Sequence, residues 1–121
     1  MPHSHNDPGW LSTFEEYFKE STKSIIDTIV NTLLKNPSRK FIWSEISYLS
    51  LWWNQASQKE RDNLRSLILD TNQLEIVTGG WVMTDEANTY YYAMIEQMIT
   101  GIEWLKINID SSIQPGYGWS I

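Results

Sequence analysis

Two histidines and an aspartate near the start of the chain have the residue types and spacing of a metal site. His3, His5 and Asp7 alternate, and they include both histidines of the 121-residue sequence. Because alternate side chains of an extended backbone lie on one side, all three can face one centre. Neutral imidazole and carboxylate are ligands that zinc accepts at about 2.0–2.2 Å. The spacing therefore favours metal binding, with surface histidines near a terminus or the remains of a tag as the alternatives.

Four carboxylates further along the chain are candidates for acid–base chemistry. They are Glu45, Glu75, Asp85 and Glu86. Glu45 has the best position of the four for acid–base chemistry because it follows a predicted strand, but capping of the next helix is its favoured role. Glu75 is predicted to be a surface or cross-strand partner. Asp85 and Glu86 fall where a helix is predicted to begin, and the helix dipole favours acidic residues there.

Trp10 lies directly after a turn at Pro8-Gly9, next to the metal candidates. A flat aromatic ring at this place can stack on a sugar ring, and burial against the first helix is the alternative. Seven Trp and six Tyr are many for a chain of this length. Large aromatic side chains most often build a core, so we expect core packing to explain most of them.

Short apolar strands alternate with long amphipathic helices along the chain. Strands are predicted at about 41–44, 74–78 and 117–121, and helices at 13–35 and 87–108. This alternation is typical of parallel βαβ units, whose functional groups collect at the carboxyl ends of the strands. The sequence therefore predicts an α/β fold. We expect a partial, parallel β/α barrel-like domain of about three to four strands with helices outside, truncated at both ends.

Local signals place the helix ends and the buried helix faces. Ser12 with Glu15, and Ser57 with Glu60, have the spacing of capping boxes. The apolar stripe of the last helix is predicted to consist of Tyr91, Met94, Ile95, Met98, Ile102 and Leu105.

The composition excludes several classes of protein. Fifteen acidic against nine basic residues give a net charge of −6, which opposes binding to a nucleic-acid backbone. The absence of cysteine excludes disulfides and thiolate metal sites. No apolar run approaches the roughly 20 residues of a membrane span. With 41% apolar and 20% charged residues, the chain is predicted to be globular.

Three motifs occur in an order that resembles glycoside hydrolase family 38. They are HSHNDPGW at 3–10, FIWSEISY at 41–48 and QLEIVTGGWVM at 73–83. Together they extend the resemblance over nearly the whole chain. Pro8-Gly9 after Asp7 is similar to the Golgi branch of the family rather than to the lysosomal branch.

The resemblance implies a retaining exo-alpha-mannosidase that uses zinc and trims mannose from N-glycans in the Golgi lumen. Residues 1–121 would be the amino-terminal portion of its catalytic domain. By resemblance, His5 and Asp7 are zinc ligands, Trp10 lines the sugar subsite, and His3 orients the site without binding the metal. The nucleophile is expected just after Ile121, so no catalytic residue is expected within the chain. We therefore expect the chain to be inactive without the remainder of the catalytic domain, its expected partner.

Two other interpretations stay open on the residues alone. One is a non-catalytic truncated product. The other is a fragment of a metal-dependent hydrolase of the amidohydrolase type, in which a His-x-His pattern also follows the first barrel strand. This second interpretation requires Lys or further His at later strand ends, and no histidine follows His5.

Overall fold

The computed structural model describes residues 1–120 and shows short strands interleaved with helices. In chain order the elements are α1 (Phe14–Tyr17), a π-helical turn (Phe18–Thr22), α2 (Lys23–Lys35), β1 (Phe41–Trp43), α3 (Ile46–Gln55), α4 (Gln58–Leu69), β2 (Leu74–Ile76) and α5 (Tyr91–Asn108). This arrangement confirms the predicted α/β class. In the part of the chain that is described, no helix combines the length and apolar character that crossing a bilayer requires.

The two strands form a parallel pair, as the alternation of elements predicted. Phe41 lies opposite Leu74 and Trp43 opposite Ile76, and α3 and α4 connect the strands. The prediction of three to four strands is wrong for residues 1–120, which contain two, and a barrel is not seen in them.

The segment predicted to form the last strand, 117–121, is irregular between residues 117 and 120, and Ile121 lies outside the described residues. The Tyr117 carbonyl still accepts the Thr78 N–H at 2.7 Å, so the segment runs beside the end of β2. Gly116 and Gly118 have no side chains that could pack against a neighbouring strand. Because glycine weakens strand pairing, residues 117–120 do not form a hydrogen-bonded ladder with β2.

The first long helix is capped one residue later than the sequence predicted. Thr13 is the cap: its hydroxyl accepts the Glu16 N–H, and the Glu16 carboxylate accepts the Thr13 N–H at 2.8 Å. Ser12 belongs to the preceding turn, because its carbonyl accepts the Trp10 N–H at 3.1 Å. The second predicted capping box, Ser57 with Glu60, is confirmed.

The predicted helix over 13–35 contains a π-helical turn between two α-helical parts. Phe18, Thr22, Ile26 and Val30 are buried and recur every four residues. Four residues of α-helix rotate about 40° beyond one full turn. In a regular α-helix, each of these side chains would therefore lie about 40° further around the helix axis than the one before it. The wider π turn takes up part of the drift and keeps these side chains on one face.

Aromatic side chains form much of the core between the helices and the sheet. Trp43, Tyr48, Trp52 and Trp53 are all buried. The indole N–H groups find acceptors, since Trp43 Nε1 donates to the Glu45 carbonyl at 2.9 Å and Trp52 Nε1 donates to Asp27 Oδ1 at 2.7 Å. For these four residues, the prediction that the aromatic side chains build the core is confirmed.

The predicted apolar stripe of α5 is largely exposed. Tyr91, Ile95 and Met98 face solvent, while Gln97 and Gly101 are buried beside Leu105. Hydrogen bonds to Gln97 determine which face of α5 is buried. The carbonyl of Gln97 accepts the Trp81 N–H at 2.8 Å, and its side-chain oxygen accepts the Val82 N–H at 3.2 Å.

Gly101 lets this helix approach the loop that follows β2. A Cβ at this position would lie 2.6 Å from the backbone carbon of Gly80 and 2.7 Å from the nitrogen of Trp81. Gly79 itself has a φ of +73°, the left-handed conformation that glycine adopts without strain. Helix α5 therefore fixes the loop that runs from β2 towards Asp85.

Candidate metal centre

The segment that carries the metal candidates is held against the carboxyl end of β1. The Pro2 carbonyl accepts the Ile42 N–H at 3.1 Å, so the start of the chain runs beside this strand. The Tyr48 hydroxyl of α3 donates to the Asp7 carbonyl at 2.7 Å, and Thr22 of the π turn donates to Asn6 Oδ1 at 3.4 Å. Helix α3 and the π turn therefore position His5 and Asp7 from two sides.

His5, Asp7 and Asp85 converge on one point. His5 Nε2 lies 2.9 Å from Asp7 Oδ1 and 3.9 Å from Asp85 Oδ2. One ligand atom from each residue lies within 4.8 Å of the others. One imidazole nitrogen and two carboxylate oxygens form a donor set that suits zinc.

Asp85 is the member of this cluster that the sequence did not predict as a ligand. Its position was explained by the dipole of a nearby helix, but α5 begins only at Tyr91. Asp85 instead lies in a turn, where its Oδ1 accepts the Ala87 N–H at 2.9 Å. The signal that could have found it is the loop after β2, which starts at the carboxyl end of a parallel strand.

Glu45 lies behind His5 and is wholly buried, with 0% of its surface exposed. It occupies the N-cap position of α3, yet its side chain makes no capping hydrogen bond, so the expected capping role is wrong. Its Oε1 instead accepts the Asn6 N–H at 3.2 Å and lies 3.5 Å from His5 Nδ1. Burial raises the pKa of the Glu45 carboxyl to about 7, although the Asn6 hydrogen bond opposes the rise.

His3 lies outside the cluster of potential ligands. Its ring centroid is 5.1 Å from that of Trp119, and its Nε2 is buried with no hydrogen-bond partner in residues 1–120. Burial, and to a smaller degree the charge of His5, lowers the pKa of His3 below its ordinary value. The orienting role that the resemblance implies for His3 stays a prediction.

Trp10 is 73% exposed, so burial under the first helix does not explain it. It lines a cavity of about 370 Å³ together with Asp7, Met83 and Asp85. An exposed aromatic ring beside two carboxylates suits a ligand with an apolar ring face and several hydroxyls. The sugar-binding role of Trp10 stays a prediction.

The other two acid–base candidates do not join this cluster. Glu75 lies in β2 opposite Ile42 and lines a separate cavity with Lys40. Glu86 is exposed in the turn after Asp85.

Comparisons with known proteins agree on one family. The model of the glycosyl hydrolases family 38 N-terminal domain matches residues 1–121. The chain is similar to alpha-mannosidase 2 of Homo sapiens at 53% identity, and to alpha-mannosidase 2 of Rattus norvegicus and of Arabidopsis thaliana at 52% identity each.

Each of these alignments covers 121 residues, which are 100% of this chain and 10% of the relative. The chain therefore spans about a tenth of the length of these relatives. The match confirms the family that the three motifs predicted. The chain belongs to glycosyl hydrolase family 38, within the N-terminal domain of that family.

Proposed function

We propose that this chain provides part of the sugar and metal site of a zinc-dependent, retaining exo-alpha-mannosidase. The substrate would be a mannose-containing N-glycan, and the site of action would be the Golgi lumen. The observation that supports the proposal best is the convergence of His5, Asp7 and Asp85 beside Trp10 in a chain of this family.

His5 and Asp7 are the residues that would hold zinc. Their side chains are partly buried, with 21% and 44% exposure, so a ligand can reach them from one side. A bound zinc ion would supply Lewis-acid stabilisation of charge and an anchor for sugar hydroxyls. Asp85 brings a further carboxylate to the same cluster.

Trp10 would hold the mannose ring by its exposed face. Its cavity-lining position next to Asp7 lets one sugar contact both residues. His3 would support the site from behind, packed on Trp119.

The retaining reaction requires two carboxyl groups about 5–5.5 Å apart, one as nucleophile and one as acid and base. The proposed nucleophile follows Ile121. The remainder of the catalytic domain would therefore be the partner of this chain, and would supply this carboxyl, its acid–base counterpart and the further zinc ligands.

A chimera tests the proposal directly. The matching 121-residue segment of rat alpha-mannosidase 2 is replaced by this chain, and hydrolysis of an aryl alpha-mannoside is measured. We expect turnover that a chelator abolishes and added zinc restores. His5→Ala and Asp7→Ala should each lower kcat/KM by about 100-fold or more, since even partners that only orient a ligand account for 10–100-fold.

Glu15→Ala is the matched control, because Glu15 is an exposed carboxylate on α1 away from the cluster. It should leave turnover unchanged. A folded chimera without activity, or one that keeps its activity when His5 is replaced, would contradict the proposal.

A further inference from the structure

Helix α5 has a second apolar surface besides the face that it buries. Four of its apolar side chains are between 38% and 58% exposed, and we call them the outer stripe: Tyr91, Ile95, Met98 and Ile99. Their spacing of three and four residues places them in one row along the helix. A contiguous row of large apolar groups on a protein surface marks an interaction site, whereas single exposed apolar residues are common.

The outer stripe lies opposite the side of α5 that packs against α3. The Trp104 ring meets the Trp53 ring of α3 edge to face, with 6.2 Å between the ring centroids. Trp104 follows Ile95 by nine residues, and nine residues of α-helix rotate a side chain by about 180° beyond two full turns. Because α3 occupies one side of α5, the outer stripe is available to a neighbour on the other side.

The order of segments across the sheet indicates which neighbour belongs there. At the end of β2, the Val77 N–H donates to the Trp43 carbonyl of β1 at 3.0 Å. The next N–H, that of Thr78, donates to the Tyr117 carbonyl at 2.7 Å. Successive N–H groups of an extended chain point to opposite edges. Residues 117–120 therefore lie on the side of β2 away from β1.

The connections between these segments all run in one direction across the sheet. Helices α3 and α4 connect β1 to β2, and α5 connects β2 to residues 117–120. Crossovers between parallel strands are right-handed in about 98% of cases, so successive crossovers in one direction place their helices side by side on one face. The next crossover would place its helix against α5 on the side opposite α3, where the outer stripe lies.

We infer that the outer stripe of α5 is the docking surface for one helix of the remainder of the catalytic domain, the helix that follows residues 117–121 in the complete domain. The aligned 121 residues are 10% of the rat relative, so such a relative has ample chain to supply it. The partner helix would be amphipathic, with apolar residues at three- and four-residue spacing. The inference rests on the proposed function, because it takes the remainder of the catalytic domain as the partner of this chain.

A second copy of the chain fits the outer stripe less well. Each copy has a net charge of −6, so two copies repel one another. Glu96 and Glu103 are exposed, and their positions on the helix place both along one border of the outer stripe. An antiparallel pair of α5 helices would bring these carboxylates of the two copies together, which like charges oppose.

The test uses the chimera with rat alpha-mannosidase 2, with the photoreactive amino acid p-benzoylphenylalanine placed at Ile95. Thr100 is the matched control position, because it is exposed on the same helix outside the outer stripe. After irradiation, mass spectrometry identifies the peptide that is joined to each position. In a second measurement, Ile95→Cys and Thr100→Cys are labelled with a maleimide in native buffer and in urea. The label at each new cysteine is read on its own peptide, since the chain has no other cysteine.

We expect the probe at Ile95 to cross-link to the first helix after the replaced segment, within the same molecule. Ile95→Cys should react about tenfold or more slowly in native buffer than in urea, because a covered thiol reacts only after local opening. The probe at Thr100 should not cross-link to that helix, and Thr100→Cys should react at similar rates in both conditions.

Three outcomes separate this inference from the proposed function. A cross-link from Ile95 to a second molecule or to another segment overturns the inference. Rapid labelling of Ile95→Cys in the folded chimera also overturns it, and this measurement decides the matter if the photoreactive probe prevents folding. In either case, turnover of the aryl alpha-mannoside would leave the proposed function standing. The expected cross-link in a chimera without turnover would support the docking surface and contradict the proposed function.

Discussion

At the scale of single residues, Asp27 shows how a partly buried carboxylate is stabilised. Burial by itself raises the pKa of Asp27, but hydrogen bonds from Lys23 and Trp52 outweigh it and hold the pKa below its ordinary value. The Lys23 Nζ–Asp27 Oδ2 distance is 2.8 Å, and Trp52 Nε1 donates to Oδ1 at 2.7 Å. The ionised form of Asp27 therefore ties α2 to α3.

Asp27→Asn should lower the free energy of unfolding by about 1 kcal/mol at pH 7, because a hydrogen-bonded charge is lost. A depressed pKa in the folded state adds stability above the unfolded-state pKa near 4, and this stability is lost as pH falls through the lower folded-state value. The difference between variant and wild type should therefore shrink below about pH 4.

Urea unfolding at pH 7 and pH 3 measures this effect. Asp70→Asn is the control, since Asp70 is exposed and makes no side-chain hydrogen bond in the described part of the chain. A destabilisation of Asp27→Asn that stays constant between the two pH values would contradict the expected linkage.

At the scale of secondary-structure elements, the contact of α5 with the loop after β2 depends on a residue without a side chain. Gly101 allows the backbones of the helix and the loop to touch, and Gln97 ties the same loop by hydrogen bonds. This loop continues to Asp85, so the helix sets the position of one member of the metal cluster.

Gly101→Ala should lower the melting temperature, although alanine favours a helix by about 1 kcal/mol over glycine. The added Cβ would collide with the backbone of Gly79, Gly80 and Trp81, which cannot move aside as a side chain can. We expect a net loss of about 1–3 kcal/mol, as for other overpacked sites. Thr100→Ala, on the exposed face of the same helix, should be near neutral, and a rise in melting temperature for Gly101→Ala would refute the close contact.

At the scale of the whole molecule, much apolar surface is left exposed. The face of α5 with Tyr91, Ile95 and Ile99 is open to solvent, and the sheet of residues 1–120 has two strands. The chain also covers about a tenth of the length of its relatives. These features agree with the proposal that the complete catalytic domain surrounds this segment.

The isolated chain should therefore not hydrolyse an aryl alpha-mannoside, even with excess zinc. The retaining reaction requires two placed carboxyls besides a zinc site, and the proposed nucleophile lies in the remainder of the catalytic domain. The measurement is turnover by the purified chain, with His5→Ala as control. Turnover that His5→Ala abolishes would show that a carboxylate within the chain serves as nucleophile.

Sequence reasoning predicted the parts of this structure that depend on neighbouring residues. His5 and Asp7 are two residues apart in an extended segment, and their approach follows from that spacing. Asp85 could not be placed with them, because a long loop brings it back to the first residues. The burial of Glu45 and the inward face of α5 were missed for a similar reason: tertiary hydrogen bonds, not apolar periodicity, decide them.

The π-helical turn at Phe18–Thr22 makes the length of this segment matter as much as its composition. With the π turn in place, deleting one residue from the α-helical part that follows it, between Lys23 and Ile26, would rotate the π turn and α1 by about 100° relative to the rest of α2. Phe18 would then leave the core, and Thr22 would lose its contact with Asn6 beside the metal candidates. Alignment gaps between related chains should accordingly avoid the stretch from Lys23 to Ile26, even where its individual side chains vary, whereas a one-residue gap within the π turn would nearly preserve the helix phase.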